Sequence, residues 1–163
     1  MSSSKLEDNT QRALTAATRY VRAGVRSTRE ALTYLQRRGV PGDLARRTVA
    51  AFHARGVLDD RACARLWAEH WARAGYAWSA IRRRLADKGL DEHTIEHAAA
   101  QWGRASDDDA RARFVAAQHA RRGVGPRQRT RVARALSSRG FESDLIERVL
   151  NESFGPTPSD AER

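Results

Sequence analysis

Cysteine is almost absent from this chain of 163 residues, in which Cys63 is the only thiol. A single cysteine excludes an internal disulfide and a cysteine-rich zinc site, so we expect a protein of the reducing cytosol. Long apolar runs are also missing, and the first residues contain no apolar core of the kind that a signal peptide needs. The sequence therefore predicts a soluble, cytoplasmic protein with no contact to a membrane.

Lysine is scarce as well, because Lys5 and Lys88 are the only two among 30 basic residues. The remaining basic residues are arginines, and against 20 acidic residues they leave a net charge of +10. Arginine binds phosphate and carboxylate groups in bidentate fashion, so this excess favours a polyanionic partner. An alanine- and arginine-rich coding bias would produce the same excess on solvated helix faces, and composition alone leaves both explanations open.

The chain contains a repeated pattern, Leu-x-x-x-Gly, at residues 35–39, 85–89 and 136–140. The copies are 50 and 51 residues apart. Each copy has an apolar residue four positions before the leucine and another directly after the glycine: Ala31, Ile81, Val132, Val40, Leu90 and Phe141. The chain is therefore one unit written three times. Such a unit buries its apolar face mostly against its neighbours, which predicts a small solenoid.

The apolar spacing of three and four residues predicts helices, and glycines interrupt it where helices should end. Start signals agree, namely Ser27 with Glu30 as a capping box, Asp59, Asp91, and Pro126 at a first helical position. We predict nine helices, near residues 10–23, 27–38, 42–55, 59–74, 77–88, 91–102, 107–122, 126–139 and 142–152. The predicted fold is all-α, with three tandem three-helix repeats that form an elongated arc. We place the repeats at residues 10–57, 58–105 and 106–152, between disordered tails at 1–9 and 153–163.

The large aromatic residues cluster in the middle repeat, where Trp67, Trp71 and Trp78 lie close to Tyr76. Trp67 and Trp71 are one helical turn apart, so they could stack nucleobases or fill a groove of a partner. A stripe of this kind more often fills the core, and we favour that interpretation because alanine supplies little buried area elsewhere.

A possible zinc motif lies at residues 93–97, where His93, Glu96 and His97 follow the H-x-x-E-H order of one class of zinc peptidases. The repeats argue against it, because the same columns in the other two copies are charged: Asp43, Arg46, Arg47, Asp144, Glu147 and Arg148. We interpret these columns as the solvent face, with i, i+4 ion pairs between Asp43 and Arg47 and between Asp144 and Arg148.

No other pattern indicates catalysis, since the chain has neither a glycine-rich phosphate loop nor a G-x-S-x-G motif. Cys63 falls on a helix column that we align with Phe114 and that needs an apolar group. We therefore expect no catalytic residue, no cofactor and no metal.

The arginines are the better candidates for a binding site. Arg127, Arg131 and Arg134 lie at i, i+4 and i+7 on the predicted eighth helix, opposite the apolar residues Val132 and Leu136. Two further groups adjoin predicted helices: Arg82, Arg83 and Arg84 in the middle repeat, and Arg121 and Arg122 before the eighth helix. These arginines could follow a phosphate backbone or an acidic protein surface.

The segment Gly-Val-Leu-Asp-Asp at residues 56–60, with Ala64 and Trp67 downstream, and the turn at residues 85–89 resemble the regulatory protein RecX family. The resemblance covers about residues 12–152. It implies three three-helix repeats that form an arc-shaped modulator of the RecA recombinase. Such a modulator binds the RecA filament on single-stranded DNA, lies in its groove, and restrains ATP hydrolysis, filament growth and strand exchange. We expect a monomer whose contact with single-stranded DNA is weak or made through RecA.

The chain departs from the family pattern at three positions. The family commonly has an aromatic residue in place of Cys63, an arginine in place of Trp71 and a glutamate in place of Arg84. The last two changes are consistent with the loss of one ion pair, which would leave Arg84 free to join the basic cluster. The alternatives to a RecA modulator are a sequence-independent DNA-binding protein built from helix-turn-helix-like units and a helical scaffold for an acidic protein.

Overall fold

The computed structural model describes residues 3–102, 107–120 and 125–156, and within these ranges it contains nine α-helices and no strand. The helices are α1 (Ser3–Arg22), α2 (Thr28–Arg37), α3 (Gly42–Ala54), α4 (Asp60–Arg73), α5 (Trp78–Asp87), α6 (Glu92–Trp102), α7 (Asp108–Ala120), α8 (Pro126–Ser137) and α9 (Ser143–Phe154). The all-α prediction is confirmed. Apart from the start of α1, and from the predicted end of α7 at residue 122, which lies outside the described ranges, each predicted helix end lies within two residues of the observed one.

The first helix begins at Ser3 and not near residue 10. The prediction of a disordered tail at residues 1–9 is therefore wrong for residues 3–9. The hydroxyl of Thr10 donates a hydrogen bond of 2.9 Å to the Leu6 carbonyl, one turn earlier. Leu6 is 58% exposed. This turn therefore rests on local hydrogen bonds without apolar burial, which is why no apolar period marked it in the sequence. At the other end α9 continues to Phe154, so the tail predicted at 153–163 begins too early, and its residues 157–163 lie outside the described ranges.

Each Leu-x-x-x-Gly copy ends a helix in the same way. The N–H of Val40 donates to the carbonyl of Leu35, and the matching bonds run from Leu90 to Leu85 and from Phe141 to Leu136. The glycine between them has a φ of +77° in the first two copies and +82° in the third. This is the Schellman arrangement, which needs a left-handed residue and brings the following apolar side chain back towards the helix. The repeat signature in the sequence is thus a helix C-cap.

The helix starts follow the predicted capping signals. Ser27 and Glu30 form the reciprocal capping box of α2. The carboxylate of Asp59 accepts the N–H of Ala62 at 3.0 Å, and that of Asp91 accepts the N–H of Thr94 at 2.7 Å. Each of these bonds satisfies an N–H group that has no partner inside its helix.

The chain forms two compact units, made of residues 1–66 with 85–95 and of residues 67–84 with 96–163. In the first unit α1, α2 and α3 pack on one another around a core that includes Ala17, Ala31, Leu35, Val49 and Phe52. In the second unit α7, α8 and α9 pack around a core that includes Val115, Val132, Leu136, Phe141 and Val149. The middle repeat contributes residues to both units.

Candidate functional site

The arginine stripe consists of Arg127, Arg131 and Arg134 on α8. All three side chains are exposed, whereas Val132 and Leu136 on the opposite face are fully buried. Within the described residues none of the three forms an ion pair or a side-chain hydrogen bond. Their positive charge is therefore not neutralised there, and the stripe is available to a polyanion.

Arg129 lies on the same helix but has a structural role. Its guanidinium donates to the carbonyl of Gly155 and to Oδ1 of Asn151, both at 2.8 Å. These bonds tie α8 to the C-terminal end of α9, where unsatisfied carbonyl groups favour a cation. The arginines of α8 thus divide into one that holds the third repeat together and three that face outward.

The three consecutive arginines on α5 also differ in exposure and in their contacts. Arg82 and Arg83 are exposed, and Nη2 of Arg82 lies 3.9 Å from Oε1 of Glu96. Since both partners of that ion pair are about half exposed, we expect it to contribute little stability.

Arg84 is half-buried, and its guanidinium lies 4.0 Å from the ring centre of Tyr76 and 5.8 Å from that of Trp71. The expectation that Arg84 is free is therefore wrong, because two aromatic rings hold it through cation–π contacts. The other predicted members of the site, Arg121 and Arg122, lie outside the described residues.

Trp67, Trp71 and Trp78 of the middle repeat are half-buried. The rings of Trp67 and Trp71 stack with centres 5.1 Å apart and planes at 29°, and Trp67 also meets the edge of His70. Each ring is thus only partly withdrawn from solvent, so the favoured interpretation as core filler holds for part of each side chain.

His93, Glu96 and His97 are exposed, which confirms the solvent face predicted for that motif. In the described part of the chain no three potential ligands come together in a metal-binding group. The predicted i, i+4 ion pairs of these columns are wrong: Asp43 pairs with Arg46, and Arg148 pairs with Asp109 on α7 at 3.1 Å. Packing of α9 against α7 offers Arg148 a carboxylate that lies 39 residues away in sequence.

Cys63 is 1% exposed, and burial raises the pKa of its thiol to about 11. The thiol therefore stays protonated at neutral pH and is a poor nucleophile. Its alignment with Phe114 is wrong, because Phe114 is 53% exposed. Ala64 and Ala112 are both fully buried, and α4 and α7 begin at Asp60 and Asp108, so the first helices of the last two repeats are offset by 48 residues and not by 51.

One set of contacts that the sequence analysis missed joins consecutive repeats. Asp60 at the start of α4 accepts hydrogen bonds from the N–H and the hydroxyl of Thr28, at 2.8 and 2.7 Å. Asp108 at the start of α7 accepts the N–H of Trp78 at 2.9 Å. Each carboxylate caps the second helix of the preceding repeat. The recurrence of an acidic residue in the first turn of α4 and α7 was the available signal.

The Leu-x-x-x-Gly turn of the next repeat meets the same helix end. The hydroxyl of Ser27 donates to the carbonyl of Lys88 at 2.5 Å, and the N–H of Ala77 donates to the carbonyl of Arg139 at 3.0 Å. The ammonium of Lys88 lies 2.8 Å from the Glu30 carboxylate. These junctions are structural, and the ammonium and the carbonyl of Lys88 both take part in the first of them.

No described helix is both long enough and apolar enough to cross a bilayer.

Comparison with known proteins identifies the family. Residues 59–98 match the family model of the second three-helix domain of RecX, and residues 106–150 match that of the third, which together cover more than half of the chain. Among curated proteins, the regulatory protein RecX of Streptomyces coelicolor is 28% identical over 141 residues, which are 84% of this chain and 74% of the relative. The regulatory protein RecX of Pseudomonas savastanoi pv. phaseolicola is 29% identical over 125 residues, with coverages of 74% and 78%.

Solved structures of RecX proteins share the fold. The crystal structure of RecX from Lactobacillus salivarius is 18% identical and superposes with a TM-score of 0.66 over 90% of this chain and 97% of that one. A second crystal structure of a regulatory protein RecX is 20% identical and gives a TM-score of 0.71 over 89% of this chain and 74% of that one. The helices, the repeat pattern and the two matching domain models agree, and the chain belongs to the RecX family of regulatory proteins.

Proposed function

We propose that this protein is a negative modulator of the RecA recombinase. It binds the RecA filament on single-stranded DNA and restrains ATP hydrolysis, filament extension and strand exchange, as a cytoplasmic monomer without catalysis of its own. Membership of the RecX family is the observation that carries the proposal. The described residues support it, because they present an outward-facing basic surface whose charge no neighbouring carboxylate neutralises.

The arginine stripe is the contact that we assign to the filament. Arg127 and Arg134 are seven residues apart, which is about 10.5 Å along a helix. Three guanidinium groups over that length can each meet a phosphate or a carboxylate of a polyanionic groove, and Arg83 on α5 adds a fourth exposed arginine. Because the chain repeats its fold, several weak contacts can act together as avidity.

The decisive experiment measures ATP hydrolysis by RecA on single-stranded DNA, with this protein added well below one molecule per recombinase and at near-physiological salt. Its affinity for bare DNA is measured beside it. We expect strong inhibition at doses where bare DNA is barely bound. Inhibition only at doses that saturate the DNA would contradict the proposal and favour the sequence-independent DNA-binding protein.

A matched pair of variants tests the assigned surface. The stripe variant is R127Q/R131Q/R134Q, and the control variant is R47Q/R55Q/R65Q, which removes the same charge from three exposed arginines with no ion pair to a described residue. We expect the stripe variant to need at least tenfold more protein for half-maximal inhibition, while the control variant stays within threefold of the native chain. Equal effects would show that net charge matters and the stripe does not.

A further inference from the structure

A second basic surface lies on the first unit, between α1 and the turn that joins α2 to α3. It is a cavity of about 400 Å³, within the range of small-ligand sites. Its lining includes Arg12, Arg19 and Arg38, the ring of Tyr34, and the neutral hydrogen-bonding side chains of Asn9 and Thr15. No carboxylate lines it. We call this surface the α1 groove.

The three arginines of the α1 groove are exposed, and none forms an ion pair with a described residue. Arginines elsewhere in the chain do find carboxylates, as Arg113 does with Glu152 at 2.9 Å. Three positive charges around one concave surface repel one another unless an anion joins them, so the α1 groove is suited to a ligand with several negative charges.

Tyr34 adds an aromatic surface to this charge. Its ring stacks on Tyr20 with centres 4.1 Å apart and planes at 9°, which fixes its position. The guanidinium of Arg38 lies 5.3 Å from the centre of the Tyr34 ring. A fixed ring beside a planar guanidinium is the kind of surface on which a nucleobase stacks.

The spacing of the arginines fits a strand. Arg12 and Arg19 are seven residues apart on α1, or about 10.5 Å along the helix axis. A strand stacked as in a double helix advances about 3.4 Å per nucleotide, so this distance corresponds to about three stacked nucleotides.

We propose that the α1 groove binds a short single strand of nucleic acid, with phosphates on Arg12, Arg19 and Arg38 and one base stacked beside Tyr34. An acidic peptide would use the arginines but would leave the aromatic surface without a purpose, so the strand is the ligand that accounts for every group. This surface is separate from the arginine stripe, and the inference needs no recombinase. It goes beyond the proposed function, and because that function expects weak binding of bare DNA, we expect the α1 groove to hold the strand with low affinity.

The test measures the fluorescence anisotropy of a labelled oligothymidine with the full chain and no other protein. The groove variant is R12Q/R19Q/R38Q, and the control variant is again R47Q/R55Q/R65Q. We expect the groove variant to bind at least tenfold more weakly and the control variant to stay within threefold. Each phosphate contact on a single strand adds about 0.7 to the slope of log affinity against log salt, so the groove variant should lose about 2 from that slope. Equal losses in the two variants would overturn the proposal.

The role of Tyr34 is tested with an abasic oligomer of the same length. We expect the native chain and Tyr34→Phe to prefer oligothymidine to the abasic strand by at least threefold, and Tyr34→Leu to lose that preference while circular dichroism shows its helices intact. If Tyr34→Leu does not fold, the comparison of the two strands on the native chain decides. Equal binding of the two strands by the native chain, or competition by polyglutamate as strong as that by oligothymidine, would overturn the proposal.

Discussion

The carboxylate of Asp60 holds the backbone N–H and the hydroxyl of Thr28, 32 residues earlier in the chain, at 2.8 and 2.7 Å. One side chain of the second repeat thus caps a helix of the first. Asp108 does the same for Trp78 in the second unit. The coupling between neighbouring repeats is therefore built from hydrogen bonds at helix ends as well as from apolar contact.

Asp60→Ala should lower the free energy of unfolding by about 1–2 kcal/mol, the usual effect of losing an N-cap, because it leaves an N–H of α2 without its partner. Urea denaturation followed by circular dichroism measures the change. Asp87→Ala is the control, since that carboxylate is exposed and forms no bond to a described residue, and it should change stability by less than about 0.5 kcal/mol. A similar loss of unfolding free energy in both variants would show that the hydrogen bonds of Asp60 to Thr28 do not stabilise the junction.

Substitution of Gly140 and of Gly39 by alanine distinguishes the energetic cost of backbone strain from that of a packing clash. Both have left-handed backbones, at +82° and +77°. A Cβ at Gly140 would lie 2.7 Å from the Cβ of Ala80, whereas one at Gly39 would have no heavy atom within 4 Å. We expect Gly39→Ala to cost about 1–2 kcal/mol through the left-handed backbone alone. Gly140→Ala should cost about 1–3 kcal/mol more, because α5 must move. Equal losses in chemical denaturation would show that the turn of the third repeat is not packed as described.

The contact between Arg84 and Tyr76 should appear in a double-mutant cycle. Arg84→Ala and Tyr76→Leu, made singly and together, should give a coupling of about 0.5–1 kcal/mol in the free energy of unfolding. The neighbouring Arg83 is exposed and has no described partner, so the cycle of Arg83→Ala with Tyr76→Leu should give a coupling near zero. Equal coupling energies in the two cycles would mean that the coupling arises from general electrostatics and not from the contact between Arg84 and Tyr76.

The ion pair between α7 and α9 predicts a pH dependence. The hydrogen bond from Arg113 lowers the pKa of Glu152. The same bond raises the pKa of the Arg113 guanidinium. Because a carboxylate with a lowered pKa favours the folded state in its charged form, the contribution is present above the unfolded pKa of about 4.3 and is lost as the pH falls through the lower folded value.

A carboxyl titration by NMR checks this expectation. Arg113→Gln should return the pKa of Glu152 towards its ordinary value, whereas Arg134→Gln, which removes the same charge from the arginine stripe, should leave it in place. The thermal midpoints of the native chain and of Arg113→Gln should differ at neutral pH and converge at acid pH. A pKa of Glu152 that is unchanged in Arg113→Gln would contradict the assigned pair.

The sequence by itself determined the helices and their order. Apolar spacing, the capping box at Ser27 and Glu30, and the glycine after each Leu-x-x-x involve bonds between residues at most five positions apart, so local sequence is enough to place them. The same period showed that His93, Glu96 and His97 lie on a solvent face. The one start that the sequence missed, at Ser3, is a turn that buries no apolar side chain and so leaves no periodic trace.

Only the tertiary structure decided which charged groups have partners. On α8 the sequence does not distinguish Arg129, which is bound to α9, from Arg131, which faces outward, because the partner of Arg129 lies 22 or more residues away. In the same way, helix packing places the guanidinium of Arg84 over the ring of Tyr76 and the carboxylate of Asp60 at Thr28. It also brings Arg12, Arg19 and Arg38 to one cavity. A helical period fixes the face on which a side chain lies, but what that face meets is set by the packing of helices distant in sequence.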